Sequence, residues 1–101
     1  MTYQELRQAL TVFGLGERAS LDEIRRRYRE LVRHHHPDAG GEDDTAIRRI
    51  NAAYRLLGDY CRHYRFDFSH GEFLEQSPEE RLREQFSGDP VWGGEAPEAE
   101  D

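Results

Sequence analysis

The chain has 101 residues, of which 36% are hydrophobic and 35% charged, with a formal net charge of −7. A chain of this size builds one small domain around a thin core, so a deep substrate cavity is not expected. Its single cysteine, Cys61, excludes an internal disulfide framework and a four-cysteine zinc ribbon.

Tyr3, Leu6, Leu10 and Phe13 recur at helical spacing and Gly14 follows as a stop. This predicts a short, weakly capped first helix. A turn segment with two glycines leads to the second helix, which carries the clearest signals in the chain. Ser20-Leu21-Asp22-Glu23 is a capping box, in which the hydroxyl and the carboxylate each satisfy an orphan backbone N–H. Ile24, Tyr28, Leu31, Val32 and His35 then mark one helical face. Arg25, Arg29 and Arg33 run along another at i, i+4 and i+8, with Arg26 beside them.

Pro37 ends this helix at about His35, because proline lacks an N–H and its ring clashes with the preceding turn. It also biases His36 toward extended backbone. His36-Pro37-Asp38 therefore holds an imidazole and a carboxylate at the tip of a basic rod. A carboxylate just past the negative end of a helix costs about a few tenths of a kcal/mol, so helix stability does not call for Asp38.

Residues 38–43 read as a loop, and Asp43 and Asp44 suit the positive end of the next helix dipole. Ile47, Ile50, Tyr54 and Leu57 form the apolar stripe of that third helix, with Gly58 as its C-terminal cap. Two amphipathic helices joined by so short a loop should pack antiparallel. A short fourth helix is expected from Tyr60 to Phe66. Beyond it, Ser77-Pro78-Glu79-Glu80 is a strong helix start, predicting a helix over about 78–86 whose only apolar pair is Leu82 and Phe86. From Ser87 onward Gly, Pro and acids dominate, which predicts disorder, with Trp92 as an anchor. No strand signal or internal repeat is present, so the fold class is all-α.

Charge separates the chain into two parts. Residues 1–67 hold 12 Arg against 11 acids, whereas residues 68–101 hold 2 Arg against 10 acids, a balance of −8. The division expected is a domain over 1–67 and an acidic extension over 68–101. Nucleic acid and anionic membrane are disfavoured as partners, since binding phosphate needs a net cationic face. With no basic-then-apolar start and no membrane-length apolar run, the expected setting is cytoplasmic.

Two metal readings fail on spacing. Adjacent residues of His34-His35-His36 diverge by about 100° on a helix, where a zinc pair wants i, i+4. The acids beginning at Asp38 resemble the start of a calcium loop, but Arg49 stands where a bidentate Glu is needed. His36 beside Asp38 is a base with an orienter, yet no nucleophile or pocket can be named, so catalysis by this chain is not expected.

Together these residues resemble the J domain, the helical module of DnaJ-type co-chaperones, over roughly residues 10–67. Phe13-Gly14-Leu15 looks like the family's Leu-Gly-Val, and residues 23–29 resemble the basic opening of its second helix. His36-Pro37-Asp38 is similar to its signature loop. Residues 50–59 resemble its Ile-Asn-x-Ala-Tyr-x-Val-Leu-Ser-Asp run, and Phe66-Asp67 falls where the family has Tyr-Asp. Four features depart from the pattern: Glu30 stands where a base is frequent, Tyr60 replaces a proline, the basic pair of the fourth helix is reduced to Arg62-His63, and the first helix starts further upstream than usual. Neither a Gly/Phe-rich linker nor a cysteine-rich zinc region is present, so the resemblance implies a minimal, J-domain-only protein.

The resemblance further implies a partner, a DnaK-type heat-shock chaperone whose ATP hydrolysis the chain stimulates to promote client capture. His36, Pro37 and Asp38 would deliver the signal, and Arg25, Arg26, Arg29 and Arg33 would meet an acidic patch on the chaperone. Tyr28, on the apolar stripe, would chiefly pack, with an edge contact to the partner. No cofactor or metal is implied. The alternative is a J-like adaptor that recruits a partner through its acidic extension without stimulating an ATPase.

Overall fold

Thr2 and Glu5 start the first helix with a reciprocal pair of hydrogen bonds. The Thr2 hydroxyl accepts from the Glu5 N–H at 3.1 Å, and the Glu5 carboxylate accepts from the Thr2 N–H at 2.9 Å. The helix is therefore firmly capped, not weakly as its apolar spacing alone suggests. The capping box lies ahead of the stripe, at the second residue of the chain.

The computed structural model describes residues 1–35 and 44–87. Their elements are α1 (Tyr3–Phe13), α2 (Leu21–His35), α3 (Asp44–Arg62), α4 (His70–Gln76) and α5 (Pro78–Ser87). No strand occurs among the described residues, so the protein is all-α. They form two compact units that divide between Tyr64 and Arg65.

In the first unit α1 ends at Gly14, whose left-handed backbone (φ 68°) lets its N–H reach the Leu10 and Thr11 carbonyls. The predicted box opens α2: Ser20 N–H donates to Glu23 at 2.6 Å and Glu23 N–H to the Ser20 hydroxyl at 3.1 Å. α2 and α3 pack as an antiparallel hairpin, and α1 lies chiefly against α3. The core draws on all three helices, with Ala9, Phe13, Ile24, Ile50, Ala53 and Leu57 buried. Phe13 is sealed completely. The expected pairing of helices two and three is thus only part of the packing, because α3 is shared with α1.

Gly58 does not cap α3, and no separate helix spans Tyr60–Phe66. The helix runs through the glycine to Arg62, and residues 64–68 are irregular. An interior glycine costs about 0.5–1 kcal/mol relative to alanine. That cost is met by apolar contacts on both sides: Leu57 is buried, and Cys61, one turn on, packs on the same core. Arg62 also bridges back to Asp59 at 3.1 Å.

The second unit contains two helices where the sequence reading has one. The Ser69 hydroxyl accepts from Glu72 N–H at 3.2 Å and starts α4. The signal, Ser-x-x-Glu, was legible, but Gly71 inside it and the lack of a longer apolar stripe masked it. α5 begins at Pro78, after Ser77. His70 Nε2 meets Glu84 at 2.8 Å and Arg81 meets Glu75 at 3.5 Å, which ties the two helices together. Neither helix buries a residue. The predicted disordered tail and Trp92 lie outside the described residues.

Candidate partner-binding face

α2 separates its charges from its apolar side chains by helical geometry alone. Ile24 is buried, and Tyr28, Leu31 and Val32 pack on the core beside it. On the opposite side Arg25, Arg26, Arg29 and Arg33 are all exposed. None of the four forms an ion pair with a described residue. At the N-terminal end of the helix, the Ser20 backbone N–H and hydroxyl hydrogen bonds hold the Glu23 carboxyl below its ordinary value, with Arg26 adding in the same direction.

Tyr28 sits between α2 and α3, not on the arginine face. Its ring stacks on Tyr54 with centroids 3.9 Å apart, and its hydroxyl donates to Asn51 Oδ1 at 2.8 Å. Phe13 extends the stack, 6.2 Å from Tyr54. α2 continues to His35, and Arg33, His34 and His35 in its last turn suit the negative end of the dipole. The next three residues, His36, Pro37 and Asp38, lie outside the described residues, as does the rest of the loop through Asp43. Among the described residues no three His, Cys, Asp or Glu side chains gather as a metal site would require. None of the described helices is long and apolar enough to cross a membrane.

Arg27, which the arginine stripe leaves out, and Glu30, which interrupts that stripe, meet at the edge of this face. Arg27 Nε donates to the Phe13 carbonyl at 2.8 Å, and its Nη1 donates to Glu30 at 3.0 Å. α1 has no basic residue in its last turn, so Arg27 supplies from α2 the cation that a helix C-terminus favours. The available signal was angular. Successive residues turn by about 100°, so Arg25, Arg26 and Arg27 cannot share one face.

A family model described as the DnaJ domain matches residues 8–67, from within α1 past the end of α3. The chain is similar to curated proteins named Chaperone protein DnaJ. That of Tropheryma whipplei is 38% identical over 56 residues, covering 55% of this chain and 16% of the relative. That of Exiguobacterium sp. is 40% identical over 58 residues, with 55% and 16% covered. That of Staphylococcus epidermidis is 32% identical over 85 residues, covering 82% of this chain and 22% of the relative. The chain therefore spans about a fifth or less of the length of these relatives. No solved structure matches it significantly.

Proposed function

Because the chain belongs to the DnaJ domain family, we propose that it is a co-chaperone that binds a DnaK-type heat-shock chaperone and stimulates its ATP hydrolysis. The observation that carries this reading is the exposed arginine face of α2, free of ion pairs with described residues and leading directly into His36-Pro37-Asp38. Arg25, Arg26, Arg29 and Arg33 steer and orient an acidic surface of the chaperone. Pro37 stiffens the tip, and His36 and Asp38 bias the chaperone toward its hydrolysing state. The ATPase chemistry belongs to the partner, and the chain acts by binding its conformations with different affinity. Tyr28 contributes by holding α2 on α3, which keeps the face in register. A cytoplasmic setting fits this role.

Single-turnover ATP hydrolysis by a DnaK-type chaperone tests the proposal. The wild-type chain accelerates the turnover and Asp38→Asn does not. Equal stimulation by both, or none by the wild type, refutes it.

A further inference from the structure

Glu30 has three arginines within helical reach. It lies four residues after Arg26 and three before Arg33, both spacings that form ion pairs along a helix. It lies three after Arg27, and this is the pair that forms, at 3.0 Å. Arg27 has an advantage over its rivals. Its Nε is already fixed on the Phe13 carbonyl at 2.8 Å, so holding Glu30 costs little additional side-chain entropy. The pair is also half-buried, where charges are screened less than at an open surface.

The outcome matters for the neighbouring face. A Glu30 without this anchor would turn to Arg26 or Arg33, cancelling a positive charge and placing a carboxylate toward any acidic partner. We infer that Arg27 is a positioning residue that holds Glu30 against the α1 side of α2 and so keeps Arg26 and Arg33 available for binding. The inference rests on the reading of the arginine face as the chaperone contact. It makes the carboxylate harmless where it stands, because Arg27 faces away from the stripe and belongs to the α1–α2 junction.

The test compares affinities for a DnaK-type chaperone at low and at physiological salt, using Arg27→Met, Glu30→Gln and the double variant. Arg27→Met binds about threefold more weakly than wild type, as expected from tying up one or two arginines in helical ion pairs. The double variant returns to the wild-type affinity, because the amide introduced by Glu30→Gln has no charge to offer Arg26 or Arg33. Glu30→Gln alone binds at least as tightly as wild type. Both Met-containing variants lack the bond to Phe13, so any general loss of stability is common to them and cannot produce the rescue. Should Met fail to support folding, Arg27→Gln, an uncharged side chain that keeps an N–H donor, replaces it in the same comparison. An Arg27→Met variant as tight as wild type, or a double variant as weak as the single, overturns the inference. Absence of wild-type binding overturns the reading of the face itself, and this inference with it.

Discussion

Tyr28 and Tyr54 lie almost parallel, 10° apart, with ring centroids 3.9 Å from each other across the α2–α3 junction. The same Tyr28 donates its hydroxyl proton to Asn51 one turn earlier on α3. One side chain thus joins the helices by a stacked ring and a directed hydrogen bond, and the arginine face rides on the helix so fixed. Removing only the hydroxyl, in Tyr28→Phe, should cost about 1 kcal/mol. For a domain of this size that lowers Tm by about 4–8 °C. Tyr28→Ala, which also removes the ring, should cost about 2–4 kcal/mol. Thermal unfolding followed by far-UV circular dichroism ranks the two, and a Phe variant as damaging as Ala would contradict the assignment of most of the stabilisation to the ring.

Two glycines should respond to alanine in opposite directions. Gly58 lies inside α3, and an added Cβ would meet only the Arg62 guanidinium at 3.5 Å, an ordinary contact. Gly58→Ala should stabilise by about 0.5–1 kcal/mol. Gly14 caps α1 at φ 68°, a left-handed conformation that costs alanine about 1–2 kcal/mol. Chemical denaturation midpoints of the two variants check the signs.

Glu23 links the start of α2 to pH. Its folded-state carboxyl is held below the ordinary value of 4.5, first by the Ser20 backbone hydrogen bond and then by the Ser20 hydroxyl. A depressed carboxylate stabilises the fold fully above its unfolded value and loses that contribution as pH falls through the folded one. The first turn of α2 should therefore loosen only below about pH 4.5. Backbone amide signals of Ser20 and Glu23 followed by NMR through this range report the change, and Glu23→Gln should abolish it.

Charge reversal at Arg26 and Arg29 should weaken chaperone binding on the order of tenfold at low salt and less as salt rises, since exposed charges are screened over about 10 Å at 0.1 M. Isothermal titration across a salt series measures this. Binding of the reversed and wild-type chains with the same salt dependence would remove the steering role.

Much of this was legible in the residues themselves. The Ser20–Glu23 box, the Ile24–Tyr28–Leu31–Val32 stripe and the opposed arginines depend on spacing along one helix, and helical geometry converts spacing into faces without reference to the rest of the fold. The start of α5 at Pro78 was equally local.

Other features required contacts between residues distant in sequence. Gly58 has the local character of a stop, but the packing of Leu57 and Cys61 on the shared core carries α3 through it. Arg27 has the local character of one more basic residue in a run, but the carbonyl of Phe13, fourteen residues earlier, gives it a second partner. Glu30 looks like a defect in the arginine stripe until that anchored guanidinium draws it aside. Spacing along the chain was enough to place α1, α2, the body of α3 and the start of α5, and to fix which way the α2 charges point, because those depend on backbone hydrogen bonds and a fixed angle per residue. Tertiary structure decided where α3 ends and which arginine holds Glu30, because those choices are made by burial and by donors brought together only when α1, α2 and α3 close around Phe13.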